Sequence, residues 1–373
     1  MVEILKAGSK GTSMLNRVIF AGGGTGGHIY MAVALAEELK KHNPNVHILF
    51  VGTRTGLESD VLPTTDISLE TICIGGLKNV GISKTLCTLL QLPGSLLQSW
   101  KIVRRFAPSL VVGLGGYSSG PVVLASKWLG FPTLLIEPNI QPGFTNRLLR
   151  HWVDGAAVAY QETLVVFGSK CRVTGIPIRP AFHEINSKIS REGPLKILIF
   201  GGSRGSRAIN NLVCEALPFL SSDCVSLVHQ TGPSDYSKVK KNYQQTNLEV
   251  EPIKFIQDMP KRFSDTDLII ARSGALTLAE ITASGRASIL IPFPQATDNH
   301  QMKNAKILSD RSAALMLIEE NTNGRELAHL IMELEKDRER LNRMAQAAKI
   351  LAQPESVHKI VKFMQELCRT NQT

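Results

Sequence analysis

The feature that most limits what this chain can fold into is one pattern that occurs twice. RVIFA (17–21) is a short apolar run that ends in a glycine loop, AGGGTGGHIYM (21–31). AVALAEELKK (32–41) follows with helical spacing and a basic last turn. About 180 residues later KILIFGGSRGSRAINNLVCEAL (196–217) repeats strand, glycine loop and helix. VHILFVG (46–52), SLVVGLGG (109–116) and PTLLIE (132–137) extend the first unit. SLVHQTG (226–232), DLIIARSGALTLAEI (267–281) and ASILIPFP (287–294) extend the second. Buried strands alternating with helices require a parallel sheet covered on both faces. The expectation is therefore α/β with two Rossmann-like domains, 14–180 and 196–353. Residues 1–13 are expected to be an N-terminal extension, with Met14 an alternative start. Residues 181–195 are polar, have neither period and read as the linker. Residues 354–373, after Pro354, read as a C-terminal helix. Its stripe of Val357, Ile360, Val361, Met364 and Leu367 is expected to pack back on the first domain.

Composition narrows the partners. The net charge of +10 favours anionic ones, while 6% aromatic residues argue against a base-stacking surface and so against nucleic acid. The six cysteines form no C-x-x-C pair and read as reduced core residues. No run of about 18 apolar residues exists, so no span of a membrane is expected.

The opening loop fits two phosphate-binding patterns incompletely. Gly22, Gly24 and Gly27 spell the dinucleotide fingerprint, yet no Asp or Glu falls between Glu38 and Glu58, where the ribose acid belongs. Gly22 and Gly27 also have P-loop spacing, but His28 and Ile29 replace the lysine and hydroxyl residue. Glycine spacing alone is equally that of a tight packing turn. His28 is more informative. A helix start lowers its pKa, leaving a neutral imidazole able to take a proton near pH 7. GGSRGS (201–206) repeats the geometry with Ser203 and Arg204 available to an anion. GGYSSGP (115–121) places Tyr117 and Ser118 before a helix. RSGALTLAE (272–280) sets a helix N-terminus beside Glu280, which is placed either for a ribose diol or merely for the helix dipole. The one D-x-D triplet, Asp265–Asp267, stands at the start of the DLIIA run and not in a glycine loop; neither a metal nor another cofactor is expected.

Residues 71–136 contain no Asp or Glu but carry Lys78, Lys84, Lys101, Arg104, Arg105 and Lys127 among leucines, with Trp100 and Trp128. Such a segment suits an anionic membrane surface. The alternative is ordinary core leucines with a solvated basic rim.

Taken in order, GGGTGGH (22–28), GGYSSGP (115–121), EPNIQPGFTNR (137–147), GIPIR (175–179), GGSRGS (201–206), RSGALTLAE (272–280) and PFPQATDNHQMKNA (292–305) closely resemble the MurG family of bacterial N-acetylglucosaminyltransferases. The resemblance spans both halves. It implies a GT-B fold, two Rossmann-like parallel-sheet domains facing a central cleft. It implies inverting transfer of N-acetylglucosamine (GlcNAc) from UDP-GlcNAc to the 4-hydroxyl of undecaprenyl-diphosphate-linked muramyl-pentapeptide, at the cytoplasmic face of the bacterial inner membrane. By similarity, Thr25, Gly26, Gly27, Asn139, Arg179, Ser203, Ile256, Ala275, Leu276, Thr277, Glu280 and Gln301 hold the donor. Within that set, Ile256 lies beside the uracil, Glu280 on the ribose, and Gln301, with His300 adjacent, on the sugar hydroxyls. His28 matches the proposed general base, with Glu137 next in line. Tyr117 and Ser118 belong to the acceptor side. Met31, Pro138 and Ile176 depart from the family pattern, and Pro138 bears on the orientation of Asn139. The competing expectations are another GT-B lipid glycosyltransferase, a UDP-GlcNAc 2-epimerase, and a twin-Rossmann nucleotide binder without catalysis.

Overall fold

The computed structural model describes residues 15–24, 26–53, 58–75, 82–186 and 192–370, with backbone only at 60, 64, 82–87 and 89. The extension at 1–13, Thr25 and Lys78 lie outside the described residues, as does the side chain of Lys84.

The first sheet has seven parallel strands in the order β3-β2-β1-β4-β5-β6-β7. Its elements are β1 (Arg17–Gly22), α1 (Gly26–His42), β2 (His47–Thr53), α2 (Glu58–Val61), β3 (Ser68–Ile72), α3 (Ile82–Phe106), β4 (Leu110–Gly115), α4 (Ser119–Trp128), β5 (Thr133–Glu137), α5 (Phe144–Leu149), β6 (Gly155–Val158), α6 (Leu164–Phe167) and β7 (Cys171–Val173). The second sheet has six, in the order β10-β9-β8-β11-β12-β13. It is built from β8 (Leu195–Phe200), α7 (Arg207–Ala216), β9 (Val225–Gln230), α8 (Tyr236–Tyr243), β10 (Glu249–Ile253), α9 (Met259–Ser264), β11 (Leu268–Ala271), α10 (Ala275–Ser284), β12 (Ala287–Leu290), α11 (His300–Ser309) and β13 (Ala314–Met316). Then come α12 (Gly324–Lys336), α13 (Arg338–Ile350) and α14 (Ser356–Thr370). This is the GT-B arrangement.

Sheet order decides where the loops go. Strand order reverses between β1 and β4 in one sheet and between β8 and β11 in the other, and a crevice opens at the carboxyl ends of such neighbours. The central pairs are buried on both faces: Phe20 of β1 lies opposite Phe50 of β2 and Val112 of β4. The four glycine-containing loops of the sequence follow these four strands.

Two contacts tie the domains along the chain. Phe182, fully buried just past the first sheet, packs edge-on against Phe263 of α9 with ring centroids 5.1 Å apart. The last helix, α14, returns to the first domain. Ile360, Val361, Phe363 and Met364 are buried there, each worth about 1.5–3 kcal/mol. Gly155 makes room, because a Cβ on it would lie 2.7 Å from the Phe363 ring. Ser356 Oγ donates to the Ile176 carbonyl at 2.8 Å, and Cys368 Sγ donates to that of Ser109 at 3.3 Å.

One expectation fails. Of the five cysteines described, only Cys368 is buried; Cys171, Cys214 and Cys224 are half-buried and Cys73 is exposed. They sit on edge strands, near helix surfaces and in connections, where a small side chain is tolerated without full burial.

Candidate active site

The first wall of the cleft is built on the β1 and β4 loops. Gly26 and Gly27 open α1, and His28 is its third residue. His28 Nδ1 lies 2.9 Å from the Gly23 carbonyl. A carbonyl only accepts, so Nδ1 carries the proton and Nε2 is the basic atom. Burial lowers the His28 pKa; the Gly23 bond and the charge of Glu58 act the other way. The β4 loop wraps the ring. A Cβ at Gly115 would lie 3.2 Å from His28 Nε2. One at Gly116, where φ is +79°, would lie 2.6 Å from the Gly23 carbonyl oxygen. Only glycine fits there on both counts. Tyr117 is half-buried beside this loop, and Ser118 is buried at the start of α4 with no hydrogen-bond partner for Oγ.

Glu58 went unrecognised in the sequence. It is fully buried under the opening loop, and Oε1 accepts the Gly24 N–H at 3.2 Å. A Cβ on Gly23 would meet that oxygen at 2.6 Å. The only sequence signal was negative: no acid at the usual ribose position, then one at 58.

Glu137, the second candidate for the base, has a different task. Its Oε1 accepts the backbone N–H and Nδ2 of Asn139 at 3.0 and 3.1 Å; Oε2 accepts from Gly143 N at 2.8 Å and Asn146 Nδ2 at 2.9 Å. Burial raises its pKa against the pull of these donors. With both oxygens occupied it braces the 138–146 loop, and Asn139 is fixed despite Pro138 before it.

The second wall gathers the donor-side candidates. Ala275, Leu276 and Thr277 are the first three residues of α10, capped by Gly274 in extended conformation, so their N–H groups face the crevice end of the helix. Ser203 is half-buried in the β8 loop. Buried Ile256 donates its N–H to Gln230 Oε1 at 2.8 Å, and Gln230 Nε2 donates to the Gly202 carbonyl at 2.9 Å. Gln230, also missed in the sequence, thus ties the Ile256 segment to the β8 loop. Gln301 opens α11: its Oε1 accepts from Phe293 N at 3.0 Å, and its carbonyl accepts from Ser273 Oγ at 2.8 Å. Arg272 pins the base of this wall, donating to the Ile291 and Pro292 carbonyls and to Ser206 Oγ at 2.8–3.1 Å.

Four contacts close the walls on one another. Arg179 lies over the Tyr30 ring at 4.6 Å and within 4.0 Å of Glu280 Oε1. Burial pushes the Glu280 carboxyl up to about 7, with Arg179 pulling down. Asn304 Nδ2 donates to Asn139 Oδ1 at 3.2 Å, Lys303 Nζ to Gln141 Oε1 at 3.0 Å, and Arg147 pairs with Asp298 at 2.7 Å. Asp298 and Asn299 have φ of 53° and 56°, a strained turn that aims α11 across the cleft. Asn304 is fully buried with Oδ1 unpartnered, a site residue that sequence spacing did not single out.

The basic residues of segment 71–136 whose side chains are described lie mainly on α3. Lys101, Arg104 and Arg105 are exposed on α3 and Trp100 is half-buried; Arg105 pairs with Glu70. Leu90, Leu97 and Trp128 are more than half exposed, and so is Leu148 of α5, with Trp152 close behind at 50%. Among the described residues one group of three has metal-ligand proximity, Glu38, His42 and His358. It lies at the far end of α1 from His28.

Comparison with known proteins agrees with this geometry. Residues 18–158 match the glycosyltransferase family 28 N-terminal domain, and 196–362 its C-terminal domain. A UDP-N-acetylglucosamine–N-acetylmuramyl-(pentapeptide) pyrophosphoryl-undecaprenol N-acetylglucosamine transferase of Anaeromyxobacter dehalogenans is 43% identical over 357 residues, 95% of this chain and 93% of that protein. Its counterpart in Myxococcus xanthus is 41% identical over 94% of this chain and 93% of its own length. The crystal structure of Acinetobacter baumannii MurG superposes with a TM-score of 0.73 at 30% identity, covering 94% of this chain and 99% of that one. A UDP-GlcNAc 2-epimerase from Neisseria meningitidis, at 15% identity and a TM-score of 0.66, shares the fold alone. The chain belongs to glycosyltransferase family 28 and, within it, to the MurG family.

Proposed function

We propose that the chain transfers GlcNAc from UDP-GlcNAc to the 4-hydroxyl of undecaprenyl-diphosphate-linked N-acetylmuramyl-pentapeptide, a step of peptidoglycan synthesis; its relatives are named for transfer of N-acetylglucosamine to N-acetylmuramyl-(pentapeptide) pyrophosphoryl-undecaprenol. The observation that carries the mechanism is the setting of His28. Its Nε2 is the basic atom of the ring, and the β4 loop passes against it.

In the reading the geometry supports, the acceptor 4-hydroxyl gives its proton to Nε2 as its oxygen bonds to the anomeric carbon. The bond from that carbon to the β-phosphate oxygen breaks, and UDP leaves with the electron pair on the face opposite attack, giving inversion. The α10 N-terminus, Ser203 and Arg179 stabilise the charge on the departing diphosphate. Gly26 and Gly27 complete the phosphate side, and the resemblance adds Thr25 to the donor contacts. Glu280 accepts from the ribose diol, Ile256 borders the uracil, and Asn139 and Gln301 hold sugar hydroxyls. Tyr117 and Ser118 face the acceptor.

The lipid-linked acceptor calls for a membrane-facing surface. No described helix is long and apolar enough to cross a membrane. The α3–α4–α5 layer, whose helices pack in series, carries exposed Leu90, Leu97, Trp128 and Leu148 and the exposed basic residues Lys101, Arg104 and Arg105. It suits peripheral seating on an anionic, cytoplasmic leaflet.

The test is transfer of radiolabelled GlcNAc from UDP-GlcNAc to the lipid-linked acceptor by the unchanged protein and by His28→Ala. The variant is expected to lose about a hundredfold or more in turnover, with UDP-GlcNAc affinity by calorimetry unchanged. Undiminished turnover overturns the base assignment, and absence of disaccharide-lipid product from the unchanged protein overturns the reaction.

A further inference from the structure

We propose that Glu58 and His28 form a dyad bridged by one peptide group, in which the carboxylate positions the imidazole and stabilises the cation it becomes. This rests on the reading of His28 as the base.

The bridge is covalently defined. Gly23 C=O accepts the His28 Nδ1–H at 2.9 Å, and Gly24 N–H donates to Glu58 Oε1 at 3.2 Å. That C=O and that N–H are the two ends of the same peptide unit. Its dipole therefore points its oxygen at the imidazole and its hydrogen at the carboxylate. A proton gained at Nε2 strengthens the whole chain, because each hydrogen bond polarises the next. The proton of the peptide stays on Gly24 and Glu58 takes up none. It acts through the peptide and by its charge, so it is a positioning residue.

The surrounding structure is shaped to admit this carboxylate. A Cβ on Gly52 of β2 would lie 3.0 Å from Glu58 Cγ, and one on Gly23 2.6 Å from Oε1. Gly116 closes on the opposite end of the bridging peptide. A glycine on β2 and a glycine in the loop after β1 thus make space for one buried acid. Glu58 Oε2 is buried with no hydrogen-bond partner, and no cation pairs with the group among the described residues. Capping the Gly24 N–H needs only a neutral acceptor, and burying a charge for that alone is costly. The charge has a use at His28. A helix N-terminus opposes a positive imidazole, and a carboxylate two hydrogen bonds away offsets that opposition when the proton arrives.

Glu58→Gln in the full chain separates the readings, because it keeps the acceptor and removes the charge. The expected result is a fall in kcat of about tenfold, with the acid limb of its pH profile moved down by about one pH unit and KM for UDP-GlcNAc unchanged. The limb moves down because an imidazolium without its counter-charge loses its proton more readily. Glu58→Asp, which keeps the charge, holds the limb near its original position. NMR titration of ring-labelled His28, assigned with His28→Ala, reads the same shift without turnover. An unmoved limb and an unmoved His28 titration in Glu58→Gln, with His28→Ala inactive, overturn the dyad. If His28→Ala stays active, the base reading falls, and the titration still decides whether the two groups are coupled.

Discussion

Replacing Glu280 by glutamine should make the protein more stable and a weaker binder of its donor. Glu280 is buried on α10, and its carboxyl is held at about 7 rather than 4.5. Its protonated form is therefore favoured more in the folded than in the unfolded chain. Below pH 4.5 the acid is neutral in both states and carries no penalty. The penalty grows as pH rises and is complete above 7, where it reaches about 3 kcal/mol at 1.36 kcal/mol for each pH unit. Glutamine is neutral throughout. Glu280→Gln should match the unchanged protein at pH 4.5 and exceed it at pH 8 by up to that amount, several degrees in the melting transition. Donor binding should move the other way. An amide offers one acceptor oxygen to a ribose diol and no charge, and a hydrogen bond to a charged group is worth about 1.5–3 kcal/mol. UDP affinity should fall by about ten- to a hundredfold. Scanning fluorimetry from pH 4.5 to 8 and calorimetry with UDP read the two effects. A stability gap independent of pH would refute the burial argument; unchanged UDP affinity would refute the ribose role.

Three further substitutions probe other parts of the cleft. Gly116→Ala forces a methyl to 2.6 Å from the Gly23 carbonyl at a left-handed φ; it should cost about 2–4 kcal/mol in chemical denaturation and most of the turnover, and full activity would show that the loop yields. Arg147→Met removes a partly exposed pair that holds α11 across the cleft; KM for UDP-GlcNAc should rise by no more than about fivefold with kcat kept, as steady-state kinetics would show. Asn304→Ala deletes both a cross-domain donor and an unpartnered buried oxygen; donor affinity by calorimetry should fall by about tenfold or more, and an unaltered value would make Asn304 a packing residue.

The strands legible in the sequence were the central ones, where burial on both faces gives an unbroken apolar run, as in RVIFA and KILIF. All four edge strands escaped notice. β3 (SLETI), β7 (CRV), β10 (EVEPI) and β13 (ALM) are short and partly exposed. A half-solvated edge does not need a hydrophobic run, and Pro252 sits in one because it is an edge. β6 was missed for the opposite reason: GAAV is fully buried yet made of small residues that leave room for α14. The glycine loops were readable because spacing along the chain fixes a turn. Glu58, Gln230 and Asn304 were not, because each acts on a backbone group or side chain far away in sequence. Strand order brings the first two sets of partners together, and the meeting of the two domains brings the third.

The return of α14 to the first domain also orders events in time. The second domain's sheet is one continuous stretch of chain, able to complete itself as soon as it emerges from the ribosome. The first domain is made of both ends of the described chain. Its groove for Ile360, Phe363 and Met364, prepared by Gly155, stays uncovered while the whole second domain is synthesised. The first domain is therefore finished only after the second has been made. Loss of α14 alone would leave the histidine-bearing domain with an apolar face exposed, although every residue lining the cleft would still be present.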